Sequence, residues 1–100
     1  MTELIFVYGT LRSGFDNRYA KLLRSQSLFA GEASVRGSTR DLGRYPAFRP
    51  EPDGEVRGEL YRLLTPETTL AALDEYEGDE FERVLIECGG RPVWIYQYKE

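Results

Sequence analysis

With 100 residues, 41% of them hydrophobic and 13% aromatic, the chain is long enough for one modest core, and a single domain over residues 1–100 is predicted. A net charge of -4 with scattered lysines and arginines disfavours nucleic-acid binding, and the absence of histidine excludes Ser-His-Asp and Cys-His catalysis as well as histidine-ligated zinc. The one cysteine, Cys88, forms no internal disulfide, and no stretch is typical of a membrane span or a signal peptide, so a cytoplasmic protein is expected.

The first predicted element is a short strand, Leu4-Ile5-Phe6-Val7, whose consecutive apolar residues are typical of burial on both faces. The strand leads into Gly9, where a side chain would block a sharp turn or a close approach by a ligand. A second break follows at Ser13-Gly14. A rigid strand that delivers such a loop can present backbone N–H groups to an anionic ligand. The alternative is a strand that ends in an ordinary turn.

The middle of the chain predicts a helix, two strands and a long connection. Asp16 or Asn17 can cap a helix whose apolar side carries residues 19, 22 and 23, and residues 28–36 predict a strand. Glycine and proline interrupt residues 38–54 beyond a short segment at 39–42, and Tyr45-Pro46-Ala47-Phe48 is an apolar loop expected to pack on the core. Residues 56–61 alternate as a half-buried strand should.

The last third of the chain predicts a helix followed by a hairpin. Thr65-Pro66-Glu67 is a strong helix start, and Gly78 is a natural helix end. Residues 83–87 and 93–96 predict strands on either side of a Gly89-Gly90 turn. Strands around two helices make the predicted fold α+β, a small mixed sheet that is curved or barrel-like.

One acidic residue near the end of the second helix is placed differently from its neighbours. At about 100° per residue from Leu70, Leu73 falls near 300° and Glu77 near 340°, whereas Glu75 falls near 140°, on the opposite side. An acid on the apolar side of the last turn should have a raised pKa, because burial and the helix dipole both favour its protonated form. A pKa near neutrality is what a general base requires, so Glu77 is the candidate catalytic residue.

Several alternatives stay open for these residues. Glu77 could instead be a structural acid paired with Arg83 or Arg12, and Asp74 is expected to cap or pair and not to react. The carboxylate spacing does not fit an EF-hand, so no metal is expected. A nucleotide-binding P-loop is disfavoured, because Phe15-Asp16 stands where a P-loop has Lys-Ser/Thr. A reactive cysteine is also disfavoured, because Cys88 in its predicted strand has no adjacent base. Thr10 would be a nucleophile only with a base beside it.

Four motifs, taken together and in order, resemble the γ-glutamyl cyclotransferase-like family, which includes AIG2-like and γ-glutamylamine cyclotransferase proteins. The chain resembles the family's short bacterial type over nearly its whole length. The motifs are Phe6-Val7-Tyr8-Gly9-Thr10-Leu11-Arg12-Ser13-Gly14 with Asn17, Leu42-Gly43-Arg44-Tyr45-Pro46-Ala47, Val56-Arg57-Gly58-Glu59-Leu60-Tyr61 and Leu73-Asp74-Glu75-Tyr76-Glu77-Gly78. One departure is that the family often has Tyr-x-Arg after the glutamate, where this chain has Phe81-Glu82-Arg83 and lacks the hydroxyl.

The resemblance implies a small mixed β-barrel flanked by helices and a cofactor-independent, metal-free enzyme, a transferase or lyase that releases 5-oxoproline. It implies Glu77 as the general acid/base and the loop from Tyr8 to Leu11 as the cradle of a small-molecule γ-glutamyl substrate. The other expected substrate-binding residues are Arg12, Tyr45 and Phe81. Two other classes stay open: a module that binds a γ-glutamyl-like ligand without turnover, and an interaction domain with no small-molecule site. The amine leaving group and the oligomeric state are not predicted.

Overall fold

Seven strands and two helices make up the residues that the computed structural model describes, which are 2–9, 18–41 and 46–99. In chain order the elements are β1 (Leu4–Val7), α1 (Arg18–Ser25), β2 (Ser27–Val35), β3 (Ser38–Asp41), β4 (Pro46–Arg49), β5 (Val56–Leu63), α2 (Pro66–Glu77), β6 (Phe81–Cys88) and β7 (Arg91–Tyr98). None of the helices in these ranges is both long and apolar enough to cross a membrane. The predicted cap at Asp16 or Asn17 lies outside the described residues.

Strand β1 lies at the centre of a five-stranded mixed sheet with the order β2-β5-β1-β7-β6. It pairs antiparallel with β5 and parallel with β7, so that Ile5 lies beside both Tyr61 and Trp94. All four of its residues are buried, as the apolar run predicts. Ile5 and Val7 belong to the core under the helices, while Leu4 and Phe6 belong to a second core on the other face. The central strand is therefore held from both sides, which fixes where its carboxyl end lies.

The two cores differ in what covers them. Helices α1 and α2 cover the first core through Leu23, Leu70 and Leu73. The two-stranded ribbon of β3 and β4 lies over the second core, in which the side chain of Phe48 is fully buried. Burial of a large apolar side chain contributes about 1.5–3 kcal/mol. The second core thus depends on a segment whose sequence predicts a loop.

That segment is one point at which the structure differs from the prediction, and the closure of the sheet is another. Ala47 and Phe48 pack on the core as expected, but residues 46–49 form strand β4, paired with β3 in register Thr39 to Phe48. The strand escapes prediction because it begins at Pro46, and proline is tolerated in a sheet only at an end or edge. The α+β class is confirmed, but the sheet is not closed into a barrel: in the described part of the chain, β2 and β6 are its unpaired edges.

Helix α2 has the predicted boundaries. Pro66 is its first residue, and Glu67 places a negative charge in the first turn. Thr65 precedes it, but its hydroxyl does not cap the helix and instead donates to Gln26 Oε1 at 3.3 Å. The helix ends at Gly78, whose φ of 77° suits glycine and whose N–H donates to the Asp74 carbonyl oxygen at 3.1 Å.

The predicted terminal hairpin is confirmed. Strands β6 and β7 pair antiparallel from Phe81 opposite Tyr98 to Cys88 opposite Arg91. Gly89 and Gly90 connect them, and both have positive φ, 59° and 82°. A two-residue turn with two positive φ angles matches the right-handed twist of the strands, which explains the Gly-Gly sequence. The hairpin begins directly after α2, so Phe81 and Arg83 lie close to the last turn of that helix.

Candidate active site

Glu77 is the last residue of α2 and is partly buried, whereas Glu75, two residues earlier, is exposed. This difference is the one that helical geometry predicts, because Glu77 shares the side of Leu70 and Leu73 that packs on the sheet. Burial raises the pKa of Glu77 from 4.5 to about 7. A carboxyl with such a pKa exchanges its proton near neutral pH, which is the property that a general acid/base needs.

Glu77 does not form an ion pair with Arg83, which was one of its two possible structural partners. Arg83 instead pairs with Asp74: its Nε donates to Oδ1 at 2.9 Å and its Nη2 to Oδ2 at 3.1 Å. Among the residues with described positions, no lysine or arginine pairs with Glu77. Arg12, the other proposed partner, lies outside the described residues. Asp74 pairs and does not stand free, as predicted.

Tyr8 opens the predicted ligand loop and is fixed at the end of β1 by two hydrogen bonds. Its hydroxyl donates to the Tyr96 carbonyl oxygen at 2.7 Å and accepts the Phe48 N–H at 3.1 Å. Burial raises the pKa of Tyr8 well above its ordinary value, the Phe48 hydrogen bond opposes this, and the negative charge of Glu77 adds to it. The carboxyl of Glu77 therefore lies within electrostatic range of the phenol that begins the loop.

Gly9 follows Tyr8, and the atoms around it show whether a larger side chain would fit at this position. A Cβ on Gly9 would lie 3.5 and 3.6 Å from the Pro46 ring, an ordinary contact distance. Its φ is not positive either. The described neighbours of Gly9 thus do not themselves require glycine, and the need for a bare backbone facing a ligand stays a prediction.

The remaining predicted site residues divide into one that is described and four that are not. Phe81 is 8% exposed and packs edge to face against Tyr98, with ring centroids 5.7 Å apart. It belongs to the core beneath α2, next to the turn that follows Glu77. A contact between Phe81 and substrate stays a prediction. The residues outside the described ranges are Thr10, Leu11, Arg12 and Tyr45.

Tyr96 is a polar residue of this region whose sequence context predicts only that it belongs to a strand. Its hydroxyl donates to Asp74 Oδ1 at 2.6 Å, and its backbone carbonyl accepts from Tyr8. Burial, then the hydrogen bond to Asp74 and the charge of that carboxylate, raise the pKa of Tyr96 far above its ordinary value, while Arg83 lowers it and Glu77 raises it further. No local pattern reveals this role, because Tyr96 and Asp74 are 22 residues apart.

Two other chemistries find little support among the described residues. The Cys88 thiol is buried and donates to the Ser34 carbonyl oxygen at 3.7 Å, and burial raises its pKa despite the opposing charge of Arg91. A thiol of this kind is a poor nucleophile. Within ranges 2–9, 18–41 and 46–99, no three His, Cys, Asp or Glu side chains form a group that could hold a metal ion.

The fold and the site together define a small α+β protein with a carboxyl of raised pKa in electrostatic range of the residue that follows its central strand. The sequence matches the family model described as gamma-glutamyl cyclotransferase, AIG2-like, over residues 5–100. The chain therefore belongs to this family, as its motifs predict.

Individual relatives agree with the family assignment. A protein of Vibrio cholerae serotype O1, named for gamma-glutamylcyclotransferase, is 42% identical over all of this chain and 85% of its own length. The gamma-L-glutamyl-butirosin B gamma-glutamyl cyclotransferase of Niallia circulans is 37% identical, over 94% of this chain and 65% of its own. The solution structure of ytfP from Escherichia coli superposes with a TM-score of 0.72 at 32% identity, covering 97% of this chain and 83% of that one.

Proposed function

We propose that the protein cyclises a γ-glutamyl amide to 5-oxoproline and releases the amine, with Glu77 as the general acid/base. The observation that carries the proposal is the partly buried Glu77 carboxyl, whose pKa is about 7 and whose charge reaches Tyr8 at the end of β1. Family membership supports a reaction of the cyclotransferase kind. The single cysteine is compatible with the cytoplasm, where we expect the reaction to take place.

The proposed reaction is an intramolecular acyl transfer. The α-amino nitrogen attacks the δ-carbonyl carbon, a C–N bond forms within a five-membered ring, and the C–N bond to the leaving amine breaks. The nucleophile is part of the substrate, so the protein has only to hold it folded, and no water is consumed. The α-ammonium gives one proton to Glu77 before the attack, and the ring nitrogen loses a second proton after it. Glu77 passes both in turn to the leaving nitrogen, which departs as an ammonium. No metal, oxidant or other co-reactant is needed for this balance.

The raised pKa of Glu77 lowers the free energy of the first proton transfer. Moving the pKa from 4.5 to about 7 makes the carboxylate a stronger base towards any given ammonium. At about 1.36 kcal/mol per pH unit, the transfer becomes easier by roughly 3 kcal/mol. The carbonyl oxygen gains negative charge during the attack, and we propose that the N–H groups of Gly9, Thr10 and Leu11 stabilise it. A well-aimed donor of this kind contributes about 3–4 kcal/mol.

The substrate is a small γ-glutamyl compound, and its amine portion is open. The Niallia circulans relative is named for γ-L-glutamyl-butirosin B, so an amine much larger than an amino acid is one candidate. The panel to be tested should include γ-glutamyl-ε-lysine, γ-glutamyl polyamines, γ-glutamyl amino acids and γ-glutamyl-butirosin B. The proposed pocket walls are Tyr8, Arg12, Tyr45 and Phe81.

The test is release of 5-oxoproline from this panel by the wild-type protein and by Glu77→Gln. The amide has nearly the shape of the protonated acid but neither accepts nor releases a proton near neutral pH, so we expect a loss of about 10²–10⁴-fold in turnover. Glu75→Gln is the matched control, since Glu75 is exposed in the same turn, and it should retain turnover. Near-native 5-oxoproline release by Glu77→Gln would remove Glu77 from the mechanism.

A binding module without turnover is the second candidate. The observation in its favour is Phe81, which stands where the family often has a tyrosine hydroxyl. The same panel separates the two functions, because a module binds a γ-glutamyl amide, measured by calorimetry, and produces no 5-oxoproline. Phe81→Tyr would then be expected to create turnover if the missing hydroxyl is the reason.

A further inference from the structure

The last turn of α2 is joined to the β6–β7 hairpin by three hydrogen bonds, all of which end on one side chain. The Asp74 carboxylate accepts two from Arg83, at 2.9 and 3.1 Å, and one from the Tyr96 hydroxyl at 2.6 Å. We propose that Asp74 and Tyr96 are positioning residues that fix Glu77 relative to Tyr8. The proposal rests on the function proposed above for Glu77.

The geometry of the Arg83–Asp74 pair favours positioning over stability. The side chains of Arg83 and Asp74 are 25% and 43% exposed, and partly exposed ion pairs contribute little to the free energy of unfolding. A two-bond fork nevertheless fixes both the place and the orientation of a carboxylate. The Arg83 guanidinium also lies over the Trp94 ring, 4.3 Å from its centroid, which limits its own movement. The pair therefore restricts where the last turn of α2 can lie.

That turn needs such a restraint because it is the end of the helix. Asp74 and Glu77 are one turn apart, and the Asp74 carbonyl oxygen accepts the N–H of Gly78, where the helix stops. Final turns of helices fray readily, since no later turn holds their carbonyl groups. Another anchor in the described residues is the stacking of Tyr76 on Tyr19, with ring centroids 4.5 Å apart. Ring stacking is compatible with small sliding movements, whereas the hydrogen bonds to Asp74 are directional and fix its carboxylate.

Tyr96 connects the two parts of the proposed site. Its hydroxyl holds Asp74, and its backbone carbonyl oxygen accepts the Tyr8 hydroxyl at 2.7 Å. One residue of β7 thus contacts both the turn that carries Glu77 and the residue that opens the loop after β1. Among the described residues, Tyr8 after β1 and Tyr96 of β7 sense the charge of Glu77, and Arg83 of β6 and Tyr96 bind Asp74. Arg83 balances the charge of Asp74, so Asp74 is expected to act on Glu77 through position.

The experiment compares Tyr96→Phe and Asp74→Asn with the wild-type protein. Tyr96→Phe keeps the ring and the carbonyl group that Tyr8 contacts, and removes only the bond to Asp74. We expect kcat for 5-oxoproline release to fall roughly 10- to 100-fold, because a displacement of about 1 Å at a reacting group has this cost, while KM changes little. Arg62→Gln is the control, since Arg62 forms an exposed ion pair with Glu3 at 3.2 Å, and it should leave kcat unchanged.

A second readout does not depend on turnover. The titration of the Glu77 carboxyl, followed by ¹³C NMR with selective labelling, has an expected midpoint of about 7 in the wild-type protein. In Tyr96→Phe and Asp74→Asn the last turn loosens and the carboxyl meets more water, so its midpoint should move towards 4.5. A residue that only stabilises the fold would lower the melting temperature without moving this midpoint.

The outcomes separate this inference from the proposed function. If the wild-type protein makes no 5-oxoproline, the proposed function fails, and the Glu77 titration still decides whether Asp74 and Tyr96 position the carboxyl. If product forms and both variants match the wild type in kcat and in the Glu77 midpoint, the positioning role is wrong and the proposed function stands. Should Tyr96→Phe not fold, Arg83→Lys, which keeps the charge and loses the two-bond fork, carries the same two readouts.

Discussion

The Glu77→Gln variant should be more stable than the wild-type protein at pH values above 4.5, and equally stable below it. In the unfolded chain the carboxyl ionises at 4.5, whereas burial raises the pKa in the folded protein to about 7. Between these values the unfolded state has lost a proton that the folded state retains, so unfolding becomes more favourable as the pH rises. Below pH 4.5 Glu77 is protonated in both the folded and the unfolded protein, and its full contribution to the free energy of unfolding is present. Above about 7 it has been lost.

The size of this effect follows from the two pKa values. A change from 4.5 to about 7 corresponds to roughly 3 kcal/mol of unfolding free energy, at about 1.36 kcal/mol per pH unit. Glutamine is neutral at every pH, so the unfolding free energy of Glu77→Gln does not fall in this way as the pH rises. The variant should therefore equal the wild type near pH 4 and exceed it by about 3 kcal/mol at pH 8. For a domain of this size the melting temperature would rise by on the order of 10–20 °C at pH 8.

The assay is urea unfolding of both proteins at a series of pH values from 4 to 8. The difference between the two proteins is the quantity of interest, because the other carboxyl groups titrate equally in both. Glu75→Gln, which removes an exposed charge from the same turn, should differ from the wild type by less than about 0.5 kcal/mol throughout. A Glu77→Gln difference that stays constant from pH 4 to pH 8, or that turns destabilising at pH 8, would refute the argument.

Three further changes test the surroundings of the site. Gly58→Ala should lose about 1–3 kcal/mol of unfolding free energy, because its Cβ would overlap the Val7 carbonyl oxygen; urea unfolding measures this. Tyr8→Phe should lose about 1–3 kcal/mol by the same assay, since the Phe48 N–H then has no acceptor. Iodoacetamide should label Cys88 much more slowly in the native protein than in urea, because the thiol is buried and its pKa is raised.

Each of these three predictions has a result that contradicts it. Wild-type stability in Gly58→Ala would mean that the end of β1 can move away from β5. Wild-type stability in Tyr8→Phe would mean that water or another group replaces the phenol. Equal labelling rates for Cys88 with and without urea would mean that the edge strands β2 and β6 separate readily in solution.

Much of the fold follows from local signals in the sequence. The buried strand before Gly9, the helix bounded by Pro66 and Gly78, and the hairpin turn at Gly89-Gly90 each depend on residues within a few positions of one another. The orientation of Glu77 follows as well, because helical periodicity separates it from Glu75 without knowledge of the sheet. These parts were predictable because turn and cap chemistry is local.

The parts that escaped prediction depend on distant partners. Strand β4 exists because Phe48 enters the second core opposite Thr39, and no periodic pattern marks so short a segment that starts at Pro46. The contact of Tyr96 with Asp74 joins residues from different elements, and a tyrosine in a strand has many possible partners. Barrel closure also depends on how far the sheet curls, which the sequence of single strands does not specify.

The most direct test of the central claim, that Glu77 carries the proton, is the pH dependence of kcat/KM for 5-oxoproline release from the best γ-glutamyl substrate. The free enzyme must have Glu77 ionised, so kcat/KM should rise with a midpoint near 7, the pKa that burial gives this carboxyl. A profile that has no inflection between about 6 and 8, or one that Glu77→Gln reproduces, would contradict the claim.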